Sequence, residues 1–537
     1  MKLRPEDIPK AIGIMEERGT ISDTTRRRFL ALAGGSMAVG LAGCSGVDDD
    51  EDPDDDETDD GIDDDEDEPG TVDLTFRIPA AVEQDGTPIE DDRISYHDYS
   101  SVKHGLYMAG AVARSSEFGH ENYRSELSED HMRECGEIWV EMIDDITDTF
   151  WDDGEIAEYL ELTDDGWMRG DDLRVGDYAH GVYAYHMHHR GPRWEGEGHE
   201  DLANQIIFGS APFISRYGEY LFDNHYEDGR FYHDSDLTDF DTESMSYGLS
   251  GCHGTSYAWV RWNSTDGEED MGRVDEAVLE AFLGYTPDDL VEIYRDVAEV
   301  LQDAWDDEVG AYDFGDGTEF SIHYLAPLLH GNKAVYETLA IFGDEDDYET
   351  AETIAENTVT MLDPIIRGDI AQPWGLPTHV EYTADGLEPA SDDVHVGLHW
   401  EFIKHLTGGW SLTREREGES SPQLLTEIDP ELMGDEMGEF KDEQILGALD
   451  YHLDDNDIVI HRVDYETGEV IDDSYTAWTL GLFLTGIGNI YRSHEAVVRA
   501  RDWDDVEDEA LLEQSEHFHD IYMENAEFLK DHFVVRE

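Results

Sequence analysis

Two kinds of apolar pattern alternate along this chain. In the first, glycine, serine and aromatic residues mix with aliphatic ones and no face is purely polar: roughly 97–114, 177–189, 244–262, 322–342, 394–406 and 474–491. In the second, apolar residues return every three or four positions against a charged face: roughly 130–150, 202–222, 288–305, 348–362, 442–453 and 510–533. Both spacings predict helices, the first class buried on several sides and the second lying on a surface. Acidic turns ending in glycine lead from the second class into the first: Trp151-Asp152-Asp153-Gly154, Tyr226-Glu227-Asp228-Gly229, Trp305 to Gly310, and Tyr465-Glu466-Thr467-Gly468. Ahead of the helices Val72, Leu74, Phe76 and Ile78 alternate, which predicts a short extended arm. Six successive pairs of an apolar and a charged helix predict an all-α fold, an (α/α)6 toroid of six inner and six outer helices spanning 71–537.

Charge changes the picture of the solvent more than that of the fold. The 537 residues carry 132 Asp and Glu against 34 Lys and Arg, a net charge of −98. So few cations exclude a nucleic-acid-binding surface as the leading idea. A chain this acidic repels itself at low ionic strength, and molar salt screens the repulsion to about 3 Å, so the composition predicts a halophilic protein.

The first 43 residues read as an export signal. Thr25-Arg26-Arg27-Arg28-Phe29-Leu30 resembles a twin-arginine pattern, and an apolar small-residue run too short to span a bilayer follows from Phe29 to Ala42. Leu41-Ala42-Gly43-Cys44 resembles the lipobox of lipoproteins. These resemblances imply recognition of Arg26 and Arg27 by the Tat translocon, cleavage before Cys44, and a lipid anchor there on the extracytoplasmic side of the cell membrane. Residues 44–70, acidic from Asp48 to Glu68, have almost nothing to bury and predict a disordered tether. Cys135 and Cys252 are expected to be buried free thiols, because Cys behaves as a small hydrophobe and the expected helix order keeps them apart.

Residues near the starts of the inner helices face one end of such a ring. Carboxylates there include Asp171, Asp172, Asp177, Asp241, Glu243, Asp392, Asp393, Asp472 and Asp473, although Asp before a helix is also the commonest cap. Asp177, Glu243, Asp393 and Asp473, with His395 and Tyr475, are the expected catalytic set, and Asp393 with Asp473 the preferred acid–base pair. Trp167, Trp374, Tyr247 and His399 are the expected substrate contacts, since sugar rings stack on aromatic faces. His395 and His399 share a helix face, but no Glu lies between them as in a metalloprotease helix. The run His186, His188, His189 cannot present three ligands on one face. Neither a metal nor an organic cofactor is therefore expected. No Gly-x-Ser-x-Gly elbow, P-loop or dinucleotide fingerprint is present.

The helix alternation resembles the six-hairpin glycosidase superfamily. The stretch Trp305 to Leu362, with Asp306, Gly310, Asn332-Lys333 and Glu337-Thr338-Leu339, is similar to one helix pair of that group. The resemblance implies a carbohydrate-active enzyme on a poly- or oligosaccharide, since polysaccharide lyases and sugar epimerases share the toroid. Three functions stay open. Paired carboxylates of raised pKa would mark a glycoside hydrolase. A His–Tyr pair at the centre would mark a lyase or epimerase, with His323, His253, Asn332 and His399-Trp400-Glu401 as candidates. A plugged centre would mark a non-catalytic glycan-binding lipoprotein.

Overall fold

The computed structural model describes residues 71–83, 86–90, 93–117, 129–152, 155–163, 166–170, 221–262, 285–408, 424–500 and 509–536. The signal segment, Cys44, the acidic tether, Asp177, the inner helix expected at 177–189 and nearly all of the outer helix expected at 202–222 lie outside them.

Ten long helices stand among the described residues, and they alternate as the pattern predicts. The inner ones are α1 (Tyr96–Glu117), α3 (Thr242–Trp262), α5 (Ile322–Phe342), α7 (Val396–Gly408) and α9 (Ala477–Ala500). The outer ones are α2 (Glu129–Asp145), α4 (Pro287–Ala304), α6 (Glu345–Ile366), α8 (Met437–His452) and α10 (Glu509–Phe533). Helix α5 packs on α3 and α7, α9 packs on α7, and α9 then meets α1, so the end of the chain closes on its beginning. Outer helices α2, α6, α8 and α10 back α1, α5, α7 and α9, and α4 backs both α3 and α5. The fold is an all-α α/α toroid. No helix among the described residues is long and apolar enough to cross a membrane.

Small residues explain the close inner contacts. A Cβ added to Gly481 of α9 would lie 2.4 Å from the Ser101 backbone of α1, and one on Gly331 of α5 would lie 2.4 Å from Leu249 of α3. Neither helix pair could approach so closely with a larger residue. Outer helices α4 and α6 both begin with a capping box. In α4, Leu290, Val291, Tyr294, Val297, Ala298 and Leu301 are buried, Pro287 opens the first turn, and Thr286 and Asp289 form a capping box.

The acidic-glycine turns are β-hairpins. Trp305–Asp306 pairs with Ala311–Tyr312, and Tyr226–Glu227 with Arg230–Phe231. Their glycines, like Gly468, take positive φ: Gly229 at 82°, Gly310 at 75° and Gly468 at 72°. Further short antiparallel sheets lead into the inner helices, such as Asp393–His395 against Arg462–Asp464 and Val470–Asp472. The arm is anchored at both ends of the chain. Phe76–Arg77 pairs with Val535–Arg536, and buried Asp145 accepts from the Thr75 and Phe76 amides at 3.0 Å. Cys135 and Cys252 are both buried and unbridged.

Candidate active site

The inner helices converge at their N-terminal ends on a cluster of imidazole and indole rings. The second residue is His97 in α1, His323 in α5 and Trp478 in α9, while His395 immediately precedes α7. Trp478 lies among them, with centroid separations of 5.1 Å to His97, 5.0 Å to His323 and 5.0 Å to His395. His97 and His323 meet at 5.1 Å, Tyr247 of α3 meets His323 at 5.4 Å, and His461 meets His395 at 4.6 Å. Four inner helices and one strand thus contribute to a single ring cluster, and His97, His323, His461 and Trp478 keep partial exposure.

Hydrogen bonds set different proton positions on two of these rings. His323 Nδ1 lies 3.1 Å from Oε2 of buried Glu401 on α7. An ionised carboxylate only accepts, so in the neutral ring the proton sits on Nδ1 and the lone pair on Nε2. His395 is the reverse. Its Nδ1 accepts from the Leu398 amide at 3.3 Å, so in the neutral ring the proton sits on Nε2, which is buried and has no partner among the described residues. Burial, reinforced by His461, Arg462 and His323, holds the His395 pKa well below the ordinary histidine value. His461 is pushed to about 4, mainly by burial and then by Arg462, while its Nδ1 sits 2.9 Å from Thr479 Oγ1.

A polar row continues down the ring from Glu401. Lys404, one turn further along α7, is buried; burial lowers its pKa to about 8 while Glu401 raises it. It is therefore mostly protonated at neutral pH and offsets the buried Glu401 charge. Below it His405 of α7 and His330 of α5 meet at 4.7 Å, and burial takes His405 to about 3.

The expected site residues are dispersed. His395 and Tyr247 belong to the ring cluster. Glu243 is in the first turn of α3, one turn before Tyr247. Asp393 is not at a helix start: it sits on a strand with its carboxylate 2.8 Å from Arg462 Nη1. Asp473 is exposed, between the strands Val470–Asp472 and Tyr475–Thr476. Tyr475 turns to the outer layer, donating to Asp454 at 2.5 Å and packing on Phe528 of α10 at 4.9 Å. Trp167 is buried in a small sheet beside Val72. The Trp374 N–H donates to the Tyr465 carbonyl at 2.9 Å. His399 is buried against Trp400 and His452, its Nδ1 accepting from the Leu376 amide at 3.4 Å. The strand hairpins account for this dispersal, because a residue two or three positions before a helix is set by the strand's alternation and not by the helix.

Sequence reading passed over His97 and His461. A signal existed: counting from each inner-helix start puts His97, His323 and Trp478 at the same second position.

One cluster among the described residues has metal-like composition. His233, Asp241 and Glu243 bring ligand atoms within 4.8 Å of one another. His233 Nε2 lies 3.0 Å from Asp241 Oδ1, and the same oxygen caps α3 by accepting from the Ser244 amide at 2.8 Å. Burial raises the Asp241 pKa, but the bonds from His233 and Ser244 outweigh it and bring the carboxyl to about 2. The arrangement is a complete helix cap, and the positive end of α3 disfavours a cation there.

Several solved structures are similar to this chain at low identity. A sugar epimerase from a ruminal bacterium aligns with TM-score 0.45 and 10% identity, covering 80% of this chain and 94% of that one. The cellobiose 2-epimerase from Bacillus thermoamylovorans B4167 aligns with TM-score 0.43 and 12% identity, covering 78% and 94%. The alpha-1,2-mannosidase from Trichoderma reesei aligns with TM-score 0.40 and 9% identity, covering 75% and 78%. No family model matches the chain, and no curated protein matches it.

Proposed function

We propose that this protein is a carbohydrate-active enzyme that moves a proton at a sugar carbon next to a carbonyl, as an epimerase or aldose–ketose isomerase does. The observation that carries the reading is the pair of oppositely set imidazoles, His323 backed by Glu401 and His395 with a free Nε2–H, on either side of contact with one indole. His323 Nε2 is the base. It takes the proton from the carbon, and the C–H electron pair becomes the C=C bond of an enediolate while the carbonyl π pair moves to oxygen. Glu401 stabilises the imidazolium that forms, and a carboxylate partner also fixes the ring's orientation. His395, held neutral, donates from Nε2 to the oxygen on which charge develops. The His323 imidazolium returns the proton to the neighbouring carbon to give the isomer, or to the same carbon after the enediolate has turned its other face to His323 to give the epimer.

This reading displaces the expected hydrolase as the leading one, because Asp393 is bound to Arg462 and Asp473 is in solvent. Incubation with a panel of neutral aldoses and reducing disaccharides in D2O, followed by NMR, tests it. Deuterium at the carbon beside the anomeric centre is the expected result. Glycosidic cleavage without carbon-bound exchange would overturn the assignment in favour of hydrolysis.

The proposed place of action is outside the cytoplasm, on the membrane through a lipid at Cys44 after Tat export. The support is the Arg26-Arg27 pair and the Leu41-Ala42-Gly43-Cys44 box. Cys44→Ser is expected to move the protein from the membrane to the soluble fraction. A variant that stays membrane-bound and lipid-modified sinks this idea.

A further inference from the structure

We infer that Trp478 is a hydrogen-bond donor to the ligand, and that its indole N–H together with His395 Nε2–H grips two oxygens on neighbouring carbons. The inference rests on the site named above and adds to it a binding role for a residue that composition alone assigns to the core. Trp478 touches three histidine rings edge to face, so its environment is crowded, yet its Nε1 is buried and has no hydrogen-bond partner among the described residues. A buried donor left unpaired is unfavourable, and such groups in a native fold call for a specific explanation. Other tryptophans in this chain show what packing alone looks like. The N–H groups of Trp259, Trp374 and Trp400 donate to the Tyr285 carbonyl at 3.0 Å, the Tyr465 carbonyl at 2.9 Å and His452 Nδ1 at 3.0 Å. Trp139 also has an unpaired N–H, but it lies on outer helix α2, away from the histidine rings.

The second donor lies on the adjoining ring. His395 is 1% exposed, its Nδ1 is committed to the Leu398 amide, and its Nε2 has no partner among the described residues. Two unpaired N–H donors on rings whose centroids are 5.0 Å apart suit a ligand with acceptor oxygens on adjacent carbons, a vicinal diol or a hydroxy-carbonyl. Stacking of a sugar on the Trp478 face is the less fitting role, because three imidazole rings already surround the indole.

The test uses the full chain labelled with 15N at the indole nitrogens. Trp478→Phe identifies the Trp478 N–H resonance by its loss. Titration with D-glucose and D-mannose is expected to move that resonance downfield in step with binding. Incorporating benzothienylalanine at position 478 replaces the N–H by sulfur and keeps the shape; it is expected to raise KM or Kd for the sugar at least tenfold. An unmoved resonance in protein that catalyses carbon-bound exchange, or a KM within twofold after the sulfur replacement, overturns the inference. A moving resonance without isotope exchange supports the donor role while rejecting the proposed reaction. A resonance unmoved by either sugar in protein without exchange overturns both.

Discussion

Helix α7 and the residue before it carry two buried histidines four positions apart, and they belong to different kinds of network. His399, whose own Nε2 has no partner among the described residues, packs on a wall of aromatic rings joined by a chain of hydrogen bonds. The Trp400 N–H donates to His452 Nδ1 at 3.0 Å, His452 Nε2 donates to the Trp374 carbonyl at 2.8 Å, the Trp374 N–H donates to the Tyr465 carbonyl at 2.9 Å, and the Tyr465 hydroxyl donates to the Ile370 carbonyl at 2.6 Å. His395 enters the cluster around Trp478, where two donors have no protein partner. Composition does not separate these clusters, since both are histidines and tryptophans under similar burial. Each histidine has one ring nitrogen without a partner among the described residues, so what separates the clusters is the indole: the Trp400 and Trp374 N–H groups are consumed by the protein, whereas that of Trp478 is not. The satisfied chain ties α7, α8 and the loop before residue 379 together. The cluster around Trp478 is the one proposed to bind a ligand.

Three measurements bear on that contrast. The largest is kinetic. His323→Asn keeps a polar side chain that can donate a hydrogen bond but removes the base, and the exchange rate is expected to fall by about 10² to 10⁴-fold with little change in thermal midpoint. A variant that loses its fold but keeps its specific activity per folded molecule would move His323 into the structural class.

The second outcome is the mirror image. His452→Ala leaves the Trp400 N–H and the Trp374 carbonyl buried without partners and opens a cavity, so unfolding measured in high salt is expected to lose about 4 kcal/mol. Exchange activity per folded molecule should stay near that of the parent. A loss of activity without a loss of stability would reverse the assignment of the two clusters.

The third outcome is the response to acid. Burial lowers the pKa of His452 to about 4 from an unfolded value near 6.5. The unfolded chain therefore binds more protons than the folded one between those values, and stability rises with pH across that window. Going down from pH 6.5 to 4, His452 is expected to cost about 3 kcal/mol, and His225 and His461, also near 4, act in the same direction. Protonation of carboxylates relieves the chain's self-repulsion in the lower part of this range and opposes the loss. Denaturant unfolding at fixed high salt, as a function of pH, measures the balance; stability that stays flat from pH 6.5 to 5 would show that these rings are charged in the fold.

The helices were legible because burial writes itself into spacing. Leu290, Val291, Tyr294, Val297, Ala298 and Leu301 sit one helical face apart whatever lies beyond that face. Glycines 331 and 481 marked inner helices because only a residue without a side chain lets two backbones come that close. The acidic turns ending in Gly229, Gly310 and Gly468 were legible as turns, since positive φ favours glycine. That two- and three-stranded sheets flank them was not, because pairs as short as Trp305–Asp306 have no alternation to detect.

The helix starts pointed to the same end of the ring as the site proposed here, but the choice among side chains did not follow from them. Among 132 acidic residues a carboxylate before a helix carries little information, and Asp393 shows why: a neighbouring strand supplies Arg462 to neutralise it. Histidine identity was visible at positions 97, 323, 395 and 461, yet a residue name does not say which ring nitrogen is spoken for. That depends on Glu401 reaching His323 from 78 positions away and on the Leu398 amide turning toward His395. Periodicity is a property of local geometry repeated along one chain, and so it survives in the sequence. Proton placement depends on contacts between segments distant along the chain, and only folding brings those segments together.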